Sequence, residues 1–289
     1  MIHKSSISGS EFRLFRDYIR ENCGISIPVG KSYLIETRLT KVMLDTGANS
    51  FKEFYNHIVS GKDPAIRQKI INAITTNETL WFRDGLPWKA LEEIYLPKLV
   101  HTLETGEKNR ARIWCTAVST GQEAYSTAIC VNEYLNENRI KGIRLSDFEI
   151  LATDISDRVL DLAKTGKYDK MSMKRGLDDK LRAKYFKEDG SAWNIDPRIH
   201  DAIKFRQFNL QDDYSVLGRF DVIFCRYVLI YFTDKLKREI LAKIHDSLAD
   251  GGVLFTGNYV LYELLEDIFE MKHFGNMTYY VKRDCVYKE

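Results

Sequence analysis

What the chain has little of narrows the field first. It carries five cysteines, Cys23, Cys115, Cys130, Cys225 and Cys285, and no two fall at the spacings of a zinc ligand set or a disulfide framework. Cys115 and Cys225 sit inside strand-like apolar runs, where a thiol behaves as a small apolar side chain, so a reducing compartment is expected. No apolar run is long enough to span a bilayer, which argues against membrane insertion. The first ten residues are polar and lack the apolar centre of a signal peptide, so the expected location is the cytoplasm. The formal net charge is only +2, too small for a global field that would collect nucleic acid. No internal repeat or low-complexity stretch is visible. What remains is a chain of 289 residues, 44% hydrophobic and 29% charged, with the composition of an ordinary globular protein. It is long enough for one large domain or two smaller ones.

Two nucleotide signatures are also missing from the loop Ser119 to Glu123: it lacks the glycines of G-x-G-x-x-G, and no Gly-Lys-Ser/Thr follows it. A simpler pattern stands in their place. The apolar run Ile113 to Val118 breaks at Ser119-Thr120-Gly121, and a helical pattern follows at once. A buried strand, a tight turn and a helix N-terminus is how α/β folds build a ligand crevice. A loop with Gly121 as its one glycine suits a ligand without a pyrophosphate. The next apolar run, Phe148 to Ala152, ends in Thr153-Asp154, and an acid at the carboxyl end of a second strand is placed to hold ribose hydroxyls. Asp154 is also a candidate helix cap, but Ser156 suits that role better, which frees Asp154 for a ligand. Glu123 is either a partner of the helix dipole or an acceptor for the ammonium of an amino-acid moiety. Together these features point to a nucleoside-containing cofactor.

Residues 1–74 read as an all-α N-terminal domain. Ser10 is the expected cap of a first helix carrying Phe12, Phe15 and Ile19. Further helices are expected at 31–44, from Ser50 to Gly61, and at 65–74. The domain holds eleven Lys or Arg against seven acids, which describes a solvated helical surface or a docking face for an acidic helical partner. A linker and the first helix of the following domain are expected at 75–110, and an α/β domain at 111–289. Its strands are expected at 111–118, 148–154, 203–208, 220–226 and 252–257, alternating with helices at 121–137, 156–165, 233–248 and 260–270. Such alternation implies a parallel sheet covered on both faces. The tail Met277 to Tyr287 suggests an antiparallel strand added at one edge, and 167–202 a small inserted subdomain with a helix from Asp178 to Phe186.

Three further segments combine polar and aromatic residues. The junction Ile74 to Asp84 is either a capped helix join, with Arg83 paired to Asp84 or Glu123, or a strap across a cofactor with Arg83 facing an anion. Phe220 to Phe232 reads as a central strand whose exit carries Arg226 and Tyr231, where such folds place chemistry. Asn209-Leu210, closing the preceding strand, offers an amide and an apolar face to an adenine edge.

Taken in order, TTNETLWFRD (75–84), RIWCTAVSTGQEAYSTAI (112–129), ATDIS (152–156), FRQFNL (205–210), FDVIFCRYVLIYF (220–232) and GGVLFTG (251–257) resemble the CheR-type chemotaxis receptor methyltransferases. The resemblance spans nearly the whole chain. It implies a Rossmann-like class I methyltransferase sheet with a small inserted β-subdomain, S-adenosylmethionine as cofactor with S-adenosylhomocysteine as product, and methylation of glutamate carboxylates. The implied partners are the cytoplasmic helical domains of methyl-accepting chemotaxis receptors, and the expected state is a monomer. Carried over by position, it implies cofactor contacts at Asn77, Thr79, Arg83, Glu123, Asp154, Asn209 and Leu210, with Arg83 and Tyr231 at the reacting centre. Gly121, Arg226 and Tyr227 complete the expected cofactor site.

Three departures stand out. The usual Glu-Glu-Pro-Tyr-Ser is Gln122-Glu123-Ala124-Tyr125-Ser126, the usual Arg-Asn is Arg226-Tyr227, and Asn258-Tyr259-Val260 follows Gly257. Tyr227 either crowds the pocket or stacks on the ligand. The alternative reading is therefore a diverged module that binds the cofactor, its product or a partner protein without turnover; a third is a methyltransferase for a small carboxylic acid.

Overall fold

The computed structural model describes residues 6–61, 63–257 and 267–283. Helix α1 (Gly9–Cys23) buries Phe12, Phe15, Ile19 and Cys23, a stripe at helical spacing. Its cap is Ser8, not Ser10: Glu11 sits three positions into the helix from Ser8 and closes a reciprocal capping box with it. Gly24, at φ 75°, ends the helix. Helix α2 (Ser32–Asp45) follows, then α3 (Phe51–Val59) with the expected Ser50 cap, then α4 (Ala65–Ile74). Phe15 centres their shared core, its ring 5.6 Å from Phe51 and 5.5 Å from Phe54.

After a non-helical strap, α5 (Leu86–Ala90), a π-turn (Leu91–Tyr95) and α6 (Leu96–Glu104) form one irregular helical run. Pro97 near the start of α6 supplies no N–H, and the Leu96 N–H reaches back to Leu91.

The α/β body contains β1 (Ala111–Cys115), α7 (Gln122–Glu137), β2 (Phe148–Asp154) and α8 (Asp157–Thr165). The inserted region adds β3 (Lys167–Asp169), α9 (Lys170–Met173), α10 (Asp179–Tyr185), β4 (Phe186–Asp189), β5 (Ala192–Ile195) and α11 (Pro197–His200). Then come β6 (Ile203–Gln207), β7 (Phe220–Phe224), α12 (Asp234–Ser247), β8 (Leu248–Phe255), β9 (Phe269–Phe274) and β10 (Met277–Lys282).

The main sheet runs β6-β2-β1-β7-β8-β10-β9, and the insert forms its own sheet, β3-β5-β4. The first five strands of the main sheet are parallel, and β10 is antiparallel to both neighbours. The chain proceeds from β1 outward through β2 and β6, then resumes on the other side at β7. The carboxyl ends of β1 and β7 therefore flank the switch point, where open α/β sheets leave a crevice.

Two expectations need correction. Of the helix expected at 260–270, residues 260–266 lie outside the described residues, and Phe269 begins a strand. A two-residue turn at Gly275-Asn276, with Gly275 at φ 57°, folds β9 back onto β10. Consequently β10 is not an edge: it lies between β8 and β9. Within the expected tail strand, residues 284–287 lie outside the described residues, as do Cys285 and Asn258-Tyr259-Val260.

Candidate functional site

The crevice is a cleft open to solvent. Each wall comes from a strand exit or from the strap. The turn after β1 contributes Ser119, and α7 contributes Glu123 from its first turn. Ser119 adopts φ 51°, a left-handed turn that aims its N–H at Asp154 Oδ2, 2.8 Å away. Asp154, at the end of β2, also accepts the Ser156 N–H at 3.0 Å. Ser156 is indeed the cap of α8, taking the Val159 N–H. Asp154 is 7% exposed, and burial raises its pKa against the three backbone N–H groups that lower it. A carboxylate has about four lone-pair sites, so Asp154 keeps acceptor capacity toward the cleft.

Glu123 is the second buried acid. Burial pushes its pKa up, and the Arg226 guanidinium pulls it back. Arg226 Nη1 donates to Glu123 Oε2 at 2.9 Å, while Nη2 donates to Asp84 Oδ2 at 2.6 Å and to the Arg83 carbonyl at 2.7 Å. The ion pairs suggested for Arg83 thus belong to Arg226, which follows β7 and reaches both acids and the strap backbone. The Arg226 side chain touches the cleft but is 1% exposed, so it buttresses the floor. Arg83 instead lies over the Tyr227 ring, 3.5 Å from its centroid.

Asn77, Thr79 and Arg83 all line the cleft, as do Asn209, Leu210, Tyr227 and Tyr231. Tyr227 forms one wall, and its hydroxyl donates to Asp84 Oδ2 at 2.6 Å. The Asn209 amide is engaged elsewhere, donating to the Asn22 carbonyl at 3.0 Å and accepting the Gln211 N–H at 3.0 Å. It ties α1 to the α/β body, and Leu210 supplies the apolar face. The Tyr231 hydroxyl has no hydrogen-bond partner among the described residues.

Gly121 stands apart from the rest. It does not line the cleft; a Cβ there would lie 3.0 Å from Ala163 and 3.1 Å from both Tyr125 and Tyr168. At φ 96° and with that crowding, its glycine serves the packing of α7 against α8 and the insert.

Two walls escaped the sequence reading. Cys23 and Ile25, at the end of α1, close one side of the cleft. The Ser26 N–H binds the Tyr231 carbonyl at 2.8 Å, which holds this segment in place. No local pattern marks such a contact, since α1 and β7 are far apart in sequence. The strap is also clamped from both sides. Arg38 on α2 donates to the Ile74 carbonyl, to the Thr75 carbonyl at 3.1 Å and to Thr76 Oγ1 at 3.0 Å. From the insert, Arg175 bonds Glu78 at 2.8 Å and its carbonyl takes the Trp81 N–H at 3.0 Å. The Trp81 ring is buried edge-on against Tyr168 and Phe186.

Comparison with known proteins agrees with this architecture. Residues 10–75 match the all-alpha domain of the CheR methyltransferases, and residues 77–277 match their SAM binding domain. Chemotaxis protein methyltransferase 1 of Pseudomonas aeruginosa is 39% identical over 267 residues, covering 92% of this chain and 95% of that protein. Chemotaxis protein methyltransferase Cher2 of Pseudomonas putida is 37% identical over the same shares of both chains. Chemotaxis protein methyltransferase 2 of Vibrio cholerae is 34% identical over 96% of this chain and 94% of its own. With helical bundle, switch-point cleft and sequence all in accord, the chain belongs to the CheR methyltransferase family.

Proposed function

We propose that this chain transfers a methyl group from S-adenosylmethionine to glutamate side chains on the cytoplasmic helices of chemotaxis receptors. The observation that carries the reading is the pairing of two buried acids, Glu123 and Asp154, in one cleft that Arg83 and Tyr231 also line. This set of groups fits the cofactor. Asp154 retains acceptor capacity for ribose hydroxyls, Glu123 Oε1 for an ammonium group, and Leu210 offers an apolar face to the adenine.

When bound, S-adenosylmethionine supplies an electrophilic methyl on a sulfonium sulfur. A glutamate carboxylate titrates near ~4.3 and is already ionised at neutral pH, so the chain needs no general base. Its residues have two tasks: alignment and exclusion of water. Arg83 holds one carboxylate oxygen and leaves the other to attack, since a full bidentate pair would stabilise the ground state. Tyr231 orients the carboxylate through its hydroxyl. The basic helices α1 to α4 face the acidic receptor coiled coil. Tyr227, whose bulk motivated the non-catalytic reading, lines the cleft with its hydroxyl bonded to Asp84, which supports the catalytic reading.

The test is methyl transfer to receptor cytoplasmic fragments, read as base-labile methyl esters. Ester formation that is lost in Arg83→Ala, with S-adenosylhomocysteine affinity retained, supports the proposal. Cofactor binding without transfer to any receptor fragment overturns it.

A further inference from the structure

Tyr227 holds a backbone conformation that a residue with a Cβ disfavours, at φ 57° in the left-handed region. The segment it meets is similarly bent: Phe82 is at φ 44° and Asp84 at φ 71°. Strained backbone on two segments that converge on one side chain suggests a geometric task at that side chain. The side chain is Arg83.

Besides the Arg226 guanidinium, 5.5 Å from its centroid, three contacts fix the Tyr227 ring. Its hydroxyl donates to Asp84 Oδ2 at 2.6 Å, and that oxygen is itself held by Arg226 at 2.6 Å. The ring lies against Gly257, where a Cβ would come within 3.2 Å of it. Its free face carries the Arg83 guanidinium at 3.5 Å. Burial first, then the Asp84 hydrogen bond, push the Tyr227 hydroxyl pKa up, so the phenol stays protonated and remains a donor. Beyond this stack, the one hydrogen bond of the Arg83 side chain among the described residues is Nη1 to the Glu78 carbonyl, at 3.3 Å.

An arginine side chain has several rotatable bonds and loses much freedom when ordered. Lying flat on a fixed ring removes most of that freedom in advance, and the single bond to Glu78 sets the rotation within the plane. The remaining N–H groups of Arg83 stay available to the cleft. We propose that Tyr227 is a positioning residue, the plate on which the Arg83 guanidinium is laid flat beside the cleft, with Asp84 setting the tilt of that plate. This deepens, and rests on, the reading of the cleft as a methyl-transfer site. A ring that only filled space would need neither the hydroxyl bond nor the stacked cation.

The test uses the full chain with a receptor cytoplasmic fragment, S-adenosylmethionine turnover and calorimetric binding of S-adenosylhomocysteine. Tyr227→Ala is expected to lower kcat by about tenfold to a hundredfold, as misplacement of an orienting group does, a larger factor than the loss of product affinity from opening that wall of the cleft. Tyr227→Phe, which keeps the plate and loses its tether, is expected to recover turnover to within about fivefold of the unaltered chain. In an Arg83→Ala background, Tyr227→Ala is expected to cost less than about twofold more, because residues acting through one another are not additive. Two full, multiplicative losses overturn the proposal, as does a fall in turnover matched by a fall in product affinity.

A second measurement is independent of turnover. Phenylglyoxal modification of Arg83, followed by peptide mass spectrometry with exposed Arg13 as internal reference, is expected to speed up at least about threefold in Tyr227→Ala as the stack is lost. An unchanged rate overturns the proposal. If the unaltered chain methylates no receptor fragment but Arg83 is protected by Tyr227, the functional reading fails and the positioning contact stands.

Discussion

Arg226 and Glu123 form an ion pair across 103 positions of sequence, Nη1 to Oε2 at 2.9 Å, beneath the floor of the cleft. The arginine side chain is 1% exposed and the glutamate 11%. Desolvation makes such a pair a poor source of net stability, but it fixes where both groups point. Glu123 spends Oε2 on this pair, and the strap is fastened through Asp84 by the same guanidinium.

Removing one partner strands the other. Arg226→Met is expected to destabilise the fold by about 3–5 kcal/mol, because Glu123 becomes an uncompensated buried charge. Pairing it with Glu123→Gln should return part of that loss. Thermal unfolding of the two single variants and the double variant checks this.

Asp154 and Glu123 should separate from Arg83 and Tyr231 in their effects. Asp154→Ala is expected to weaken S-adenosylhomocysteine binding by about 1–3 kcal/mol, the usual cost of deleting one partner of a buried hydrogen-bond set. Tyr231→Phe should lower kcat about tenfold or more with that affinity retained, as loss of an orienting hydroxyl does. Calorimetry alongside single-turnover transfer distinguishes the two classes. Equal losses of binding in both would remove Tyr231 from the reacting centre.

At the far end of the sheet, Glu149 reports on pH. Burial raises its pKa, but hydrogen bonds from Arg112 and Lys204 outweigh this and hold it below the usual carboxylate range. Its contribution is therefore present above the unfolded value, near ~4.3, and is lost as pH falls through the folded value. Glu149→Gln is expected to cost about 1 kcal/mol at pH 7 and progressively less below pH ~4. Urea melts at the two pH values would show the difference shrinking.

Gly176 fixes the outer clamp on the strap. It sits at φ 89°, and a Cβ there would meet the Trp81 carbonyl oxygen at 2.2 Å, a distance no real contact permits. Gly176→Ala should push Trp81 and the strap outward, costing more than about 2 kcal/mol of stability through combined backbone strain and overlap. It should also weaken product binding, although Gly176 does not line the cleft. Retained affinity would show that the strap is held without the insert.

Much of the body was legible because its determinants are local. The apolar runs at 148–154 and 203–208, and the caps at Ser50 and Ser156, each declare themselves within a few residues. The residues that line the cleft were found largely through resemblance to a family, since Asn77 or Thr79 alone would pass for linker chemistry. What stayed hidden was non-local. Which arginine meets Glu123 depends on whether it rises from a strand or lies on a strap, and the sequence around Arg83 and Arg226 does not encode that. Likewise, Gly121 reads as a ligand turn until Ala163, Tyr125 and Tyr168 are seen crowding it. The final hairpin was misjudged because one turn, Gly275-Asn276, decides between helix and strand for β9.

The end of α1 lends the cleft Cys23 and Ile25, and Asn22 holds Asn209. A fragment cut at the strap would keep every acid and every sheet strand, yet its pocket would gape on one flank and admit bulk water beside the ligand. The bundle is thus no detachable adaptor. Any segment that grips its outer surface is also leaning on the casing of the chemistry within.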